Sequence, residues 1–185
     1  MSSLLSRASF ATPPRHLFDL FLRDLTSLLI TSRSVTRSLV AIQPECTFSE
    51  ELMERIDSLV TTSQAGEAHL LEPLREVGIT LPPAGDSGSS ALVAEFFTRL
   101  PVGASPAVLA AEVVVNLRLL AQHLELKIRL AAEEALLVGQ KSVCRALVAW
   151  AREWRLTAAR LSGATVRARA RAYVADLGEF AAEGA

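Results

Sequence analysis

Apolar side chains recur at alternating steps of three and four residues in four separate stretches of this 185-residue chain. This spacing places side chains on one face of an α-helix and predicts helices that bury that face. The face of the first stretch consists of Phe18, Phe21, Leu25, Leu28, Ser32, Val35, Leu39 and Ile42. Only Ser32 interrupts it. Half of the residues are apolar and only 5% are aromatic, a composition that favours an all-α fold.

Prolines and a capping sequence delimit the first two helices. The first is predicted from about Arg15 to the segment before Pro44, because a proline ring cannot continue a helix. The second is predicted to begin at the segment Thr47-Phe48-Ser49-Glu50, which has the spacing of a capping box, and Ser49 is an equally good cap for a helix whose first turn is acidic. Its apolar face continues to about Val77 and has polar members in its middle.

The ends of the last two helices are marked by a cap, a proline and glycines. The third helix opens with Ser105 as its cap and Pro106 in its first turn, and it is predicted to run to Gly139. The fourth is predicted to begin near Ser142. We expect Gly178 to end it, because glycine is the usual residue after a helix C-terminus.

The segment between the second and third helices is unusually long. Residues 78–104 break the helical pattern with prolines and glycines, and we expect a short helix at about 91–100 within them. Such a connection is typical of a chain that crosses from one end of a bundle to the other. The sequence therefore predicts a ferritin-like four-helix bundle with this crossover. It forms a single domain over residues 15–183, preceded by a flexible N-terminus at 1–14.

The third helix carries two apolar faces, whereas a bundle helix at a surface needs one. The first face consists of Val113, Leu117, Leu124, Ile128, Ala131 and Ala135. The second consists of Leu119, Leu126, Leu130 and Leu137. Two polar strips separate them. Because a second apolar face suggests contact with more than the parent bundle, we predict a homodimer that packs through this helix.

A ferritin-like bundle is expected to carry the ligands of two metal ions in its interior. Such a site takes a carboxylate from each of two helices and a Glu-x-x-His pair from each of the other two. The chain has three histidines, and the residues three positions before them are Pro13, Gly66 and Leu120. No Glu-x-x-His pair is therefore present in the sequence.

Three short segments nevertheless resemble a known family. They are residues 16–21, residues 71–78 at the end of the second helix, and residues 122–125, which stand 17 residues before Gly139. In these segments the chain resembles the YciE and YciF type of bacterial stress-induced proteins, within the ferritin-like superfamily. The resemblance covers about residues 16–161. It implies a helical bundle and an association with stress.

The resemblance also implies where the iron ligands of that family fall in this chain, and most of them are replaced. The glutamate of the first helix falls on Ser32, and that of the second on Ala65, two residues from Glu67. A Glu-His-Tyr-Glu segment becomes residues 122–125, which lose the first carboxylate and keep the last. The glutamate pair of the fourth helix falls on Glu153 and Trp154.

The residues that remain as weak candidate metal ligands are Glu67, His123, Glu125 and Glu153. A pair of cations in a bundle interior needs several anionic ligands, so we expect no bound metal and no cofactor. Arg118 and Arg129 share the side of the helix that carries Glu125, which leaves two readings of this strip: an ion pair in place of the metal, or a solvated surface. A lone histidine such as His123 on a polar strip is typical of a surface or an interface.

Two further features have a functional and a plain interpretation. Cys144, near a helix N-terminus and beside basic residues, suits either a redox thiol or a small structural side chain. Five arginines of the fourth helix form either a nucleic-acid-binding strip or a solvated face: Arg145, Arg152, Arg155, Arg160 and Arg167. The net charge of −1 favours the solvated face. Since no uncharged run of 18 apolar residues occurs, no membrane span is expected.

These observations predict a non-enzymatic bundle protein with a decayed metal site, which acts as a structural or partner-binding module associated with stress. The cysteine content is compatible with a cytoplasmic location, because the two cysteines form no disulfide framework. The alternative is an oxidase or peroxidase that binds iron or manganese at an irregular site built from the four candidate ligands.

Overall fold

The computed structural model describes residues 16–42, 50–80 and 105–183. These residues form four helices: α1 over Leu17–Ile42, α2 over Glu50–Glu76, α3 over Pro106–Leu137 and α4 over Lys141–Glu183. The described ranges contain no strand. The prediction of an all-α, four-helix architecture is therefore confirmed. The expected flexible N-terminus, the Pro44 and Ser49 boundaries and the short helix at 91–100 lie outside the described residues.

Both predicted boundaries of α3 are confirmed by their local hydrogen bonds. The Ser105 hydroxyl accepts a hydrogen bond from the backbone N–H of Val108, at 3.4 Å. At the other end, Gly139 has a φ of +79°, in the left-handed region that favours glycine. The Gln140 N–H reaches back to the Ala135 carbonyl at 2.8 Å and closes the last turn. The three residues of this turn join α3 to α4.

The predicted end of α4 is wrong, because the helix passes through Gly178 and continues to Glu183. A glycine inside a helix costs only about 1 kcal/mol relative to alanine, and it ends a helix only where the chain turns away. Here the residues that follow Gly178 are mostly good helix formers, and no proline is among them. The helix therefore reaches 43 residues.

Contacts between α1 and α3 show that these two helices run in opposite directions. The carboxyl groups of Asp24 and Glu134 lie within hydrogen-bonding reach of one another. Seven residues further along α1, the Thr31 hydroxyl lies 3.5 Å from the Lys127 amine, which is seven residues earlier on α3. Because the numbering rises on one helix as it falls on the other, the pair is antiparallel.

The same reasoning applies to α2 and α4. Near the start of α2, Glu51 meets Arg171 at 3.4 Å, whereas in its middle the hydroxyl of Thr62 lies 3.5 Å from that of Thr157. These helices are antiparallel too, as are α3 and α4, which a three-residue turn connects. Each helix packs on two antiparallel neighbours in the order α1, α2, α4, α3, and α2 and α3 run in the same direction.

The core lies where the four apolar faces meet. The predicted face of α1 is buried from Phe21 to Leu39, whereas Phe18 at its start is exposed. The close approach of α2 to α4 depends on Gly66, since a Cβ atom there would overlap the indole ring of Trp150. That ring covers Gly66 and donates a hydrogen bond from Nε1 to the Thr62 carbonyl, at 3.2 Å. Trp154, one turn later, is fully buried.

Candidate functional site

Three hydroxyl side chains occupy the middle of the bundle where α1 meets α2. The Oγ atoms of Ser32 and Ser63 are 2.7 Å apart, and Thr36 donates from its Oγ1 to the Ser63 Oγ at 2.8 Å. Ser32 and Ser63 are both buried. We call Ser32, Thr36 and Ser63 the hydroxyl cluster. The single polar interruption in the face of α1 is thus satisfied by a polar interruption in the face of α2.

The hydroxyl cluster is a weak environment for a metal pair because its oxygens are neutral. Hard and borderline cations in a bundle interior need anionic ligands to offset the loss of hydration. The resemblance assigns the glutamates of the first two helices to Ser32 and Ala65. In the structure Ala65 is exposed, and it is Ser63 that faces Ser32. No carboxylate therefore enters this part of the core from either assigned position.

Glu67 and Glu125 are instead bound to arginines. The Arg33 guanidinium of α1 donates from Nε to Glu67 Oε1 at 2.6 Å, and both side chains are partly buried. Glu125 Oε1 accepts from Nη2 of Arg155 on α4 at 2.9 Å, and Arg129 lies 3.8 Å away. An ion pair is thus present at Glu125, and it lies at the surface, because the side chains of Arg155 and Arg129 are 64% and 49% exposed. Arg118, the other arginine considered, has a buried Nε without a partner among the described residues.

The other two candidate ligands lie apart from these pairs. Glu153 is exposed on α4, next to the fully buried Trp154. His123 is partly buried on α3, and its Nε2 atom lacks a hydrogen-bond partner in the described ranges. Burial lowers the pKa of this imidazole, and the positive charge of Lys127 lowers it further. Within residues 16–42, 50–80 and 105–183, no three His, Cys, Asp or Glu side chains form a group that could hold a metal ion.

A set of polar residues that the sequence did not single out lines the contact between α1 and α3. Asp24 and Glu134 form a carboxyl pair at one end of it, and Arg23 donates to Asp24 at 2.8 Å. Burial is the main cause that raises the pKa of Glu134 to about 7, and the neighbouring Asp24 carboxyl raises it further. Arg23 opposes this rise. Burial lowers the pKa of Lys127, and Asp24 opposes that shift. One signal was available, since His123, Lys127 and Glu134 lie on one polar strip of α3.

The second apolar face of α3 is exposed. The exposed fractions of Leu119, Leu126, Leu130 and Leu137 range from 46% to 69%, whereas the first face is fully buried. We call these four residues the leucine row. Within the described part of the chain, α3 is also the one helix long and apolar enough to cross a membrane. That criterion is weak, because the core helix of a bundle also meets it.

The remaining candidates lie at the surface of α4 or near it. Cys144 is a free thiol that is partly buried and packs against the core. The five arginines of the predicted strip are all exposed, and Arg155 among them is engaged by Glu125. Comparisons with protein-family models, with curated proteins and with solved structures find no match to this chain.

Proposed function

We propose that this protein is a non-enzymatic, ferritin-like bundle that works by binding protein, first of all a second copy of itself, through the leucine row. The observation that carries the proposal is the alignment of four exposed leucines on one side of α3. A role under stress, which depends on the resemblance to the YciE and YciF type of proteins, and a cytoplasmic location, which depends on the cysteine content, are part of the same proposal.

The directions of the helices support the ferritin-like arrangement. Two parallel helices that follow one another in sequence need a connection that returns along the whole bundle. The parallel directions of α2 and α3 therefore support the proposed crossover. A bundle of four helices in simple up-and-down order would need no such connection.

The polar contacts support the loss of metal chemistry. The α1 position assigned to a ligand belongs to the hydroxyl cluster, and Glu67 and Glu125 each accept from an arginine. An ion would have to displace these arginines before it could use either carboxylate. The alternative, an iron- or manganese-dependent oxidase or peroxidase built on Glu67, His123, Glu125 and Glu153, gains no support from these contacts.

The spacing of the leucine row supports a second copy as the partner. Its members follow one another by seven, four and seven residues, and the partly buried Val115 and Val108 extend the series by four and seven. This series reads the same in both directions. A two-fold axis across the helix therefore sets apolar residues of one copy against apolar residues of the other, as an isologous interface requires. An eleven-residue repeat also keeps the face nearly straight along a helix.

Length and charge agree with this arrangement. The row with its extension spans about 45 Å at 1.5 Å per residue. A stable interface of ordinary size buries about 800 Å² per partner, and a row of this length is compatible with such an interface. The charged side chains along one border are Arg118, Glu125, Arg129 and Glu133. Because two are basic and two acidic, that border carries no net charge to repel a second copy.

The test is the molar mass in solution by multi-angle light scattering at micromolar concentration. We expect the wild type to have twice the monomer mass and Leu126→Glu to be monomeric, because each copy would bury an unpaired carboxylate. Val148→Glu is the matched control, since Val148 is equally exposed but lies on α4. A monomeric wild type, or a Leu126→Glu variant that stays dimeric, would contradict the proposal.

A further inference from the structure

Helix α1 is attached to the bundle on two sides only. Its backbone lies close to the backbones of α2 and α3 and not to that of α4 in the described residues, whereas α3 and α4 lie side by side along much of their length. The contact of α1 with α3 is therefore one of the two that hold the first helix, beside the hydroxyl cluster and the Arg33–Glu67 pair that join it to α2. Its polar part consists of the Asp24 and Glu134 carboxyl pair and, two turns away, of Thr31 with Lys127.

Few hydrogen-bond donors surround the two carboxyl groups of Asp24 and Glu134. The Oε2 atom of Glu134 is buried and has no partner among the described residues. Arg23, the nearest cation, donates to Asp24. An ionised Glu134 would place a second negative charge beside Asp24 with one oxygen unsatisfied, whereas one proton shared by the pair removes the repulsion.

The charged groups around Glu134 come from two helices. From α1, Asp24 and Arg23 act on its carboxyl group, and no group of α2 or α4 in the described residues does so. On α3, Lys127 and His123 lie on the same strip, two and three turns towards the N-terminus, and Lys127 is placed at Thr31. Lys127 interacts with Asp24, and in the described residues Arg23 is the one cation that acts on the Glu134 carboxyl group itself.

We propose that the Asp24 and Glu134 pair is a pH-sensitive contact between α1 and α3. The pair holds α1 against α3 while the two carboxyl groups share a proton, and α1 separates more readily when that proton is released to water. Opening would uncover the buried face of α1 and leave the α3 and α4 hairpin closed. This inference concerns the interior contact of α1 and is independent of the leucine row.

The direction of the effect follows from proton linkage. The pKa of Glu134 is raised from an ordinary value of 4.5 to about 7 in the closed state. A group that binds its proton more tightly when closed favours closure fully below its ordinary pKa, and this advantage is lost as the pH rises through the closed-state pKa. For a single proton, opening increases up to about tenfold from near pH 6 to near pH 8.

The experiment is hydrogen exchange of the full chain, followed by mass spectrometry and expressed as protection factors so that the intrinsic pH dependence of exchange is removed. In the wild type we expect the protection of α1 amides to fall by up to about tenfold between pH 6 and pH 8, with α4 amides unchanged. In Glu134→Gln, which keeps the shape and a hydrogen bond but cannot ionise, the protection of α1 is independent of pH over this range.

Two further variants keep the test decisive. Glu133→Gln removes a charge at the exposed neighbouring position and is expected to retain the wild-type response. Asp24→Asn removes the other carboxyl group and is expected to abolish the response, should Glu134→Gln prove poorly folded. Equal protection of α1 at both pH values in the wild type, or an undiminished response in well-folded Glu134→Gln, overturns the proposal.

Discussion

Gly66 shows how one missing side chain sets the distance between two helices. The indole ring of Trp150 rests where a Cβ atom of residue 66 would be, and its Nε1 donates to the Thr62 carbonyl one turn away. A glycine inside a helix normally costs about 1 kcal/mol relative to alanine. Here the close packing of an aromatic ring on bare backbone offsets that cost, because it places a large apolar surface in the core.

The Gly66→Ala variant is therefore expected to be destabilised although alanine is the better helix former. The new methyl group displaces Trp150 and breaks its hydrogen bond, so unfolding in urea should show a loss of about 2–4 kcal/mol. A double-mutant cycle with Trp150→Leu provides the control, because the smaller side chain leaves room for the methyl group. An additive cycle would show that the two residues do not interact.

At the scale of a helix, the two glycines 139 and 163 have opposite roles. Gly139 lies in the turn between α3 and α4 with a φ of +79°, which strains any residue with a Cβ atom. Gly163 lies inside α4 with ordinary helical geometry, and a Cβ atom there would meet only the flexible end of Arg167, at 3.4 Å. The same substitution should thus act with opposite sign at the two sites.

We expect Gly139→Ala to lower the free energy of unfolding by about 1–2 kcal/mol, because alanine disfavours the left-handed conformation. Gly163→Ala should raise it by about 0.5–1 kcal/mol through the higher helix propensity of alanine. Each variant serves as the control for the other in thermal or urea unfolding. Effects of the same sign would mean that local backbone geometry does not decide the stability of this hairpin.

The helix ends show which parts of the fold were predictable. Ser105, Pro106 and Gly139 act through the hydrogen bonds of their own turn, so the sequence alone predicted both ends of α3 correctly. The prediction that α4 ends at Gly178 failed because a glycine permits a helix end without requiring one. The buried side chains of α3 were predictable in the same way, because periodicity separated its buried face from its exposed leucine row.

The site residues were less predictable because their partners lie far away in sequence. Ser32 was recognised as the polar interruption in the face of α1, but its partner Ser63 was not, since nothing local pairs them. For Glu125 an ion pair with an arginine of its own helix was one of two interpretations, and its shorter contact is with Arg155 of α4. The carboxyl pair of Asp24 and Glu134 depends on the alignment of α1 with α3, which periodicity does not determine.

For the molecule as a whole, the hydroxyl cluster and the arginine-bound glutamates lead to an expectation about metal content. Protein purified from medium supplemented with iron and manganese should contain either metal far below stoichiometric amounts. Ferrous iron added without oxygen and then exposed to air should give no oxygen uptake and no ferric absorbance beyond the rate in buffer, with an active ferroxidase as the positive control. Stoichiometric metal would show that carboxylates leave their arginines to bind it.

Both tryptophans of the chain are on α4, and both are buried in its packing face. Trp150 lies on the backbone of α2, and α1 contains no tryptophan. Intrinsic fluorescence therefore reports on the surroundings of α4, and the emission of Trp150 follows the closure of α2 on α4. A folding experiment that relies on tryptophan emission therefore needs a second probe on α1 to record when the first helix packs.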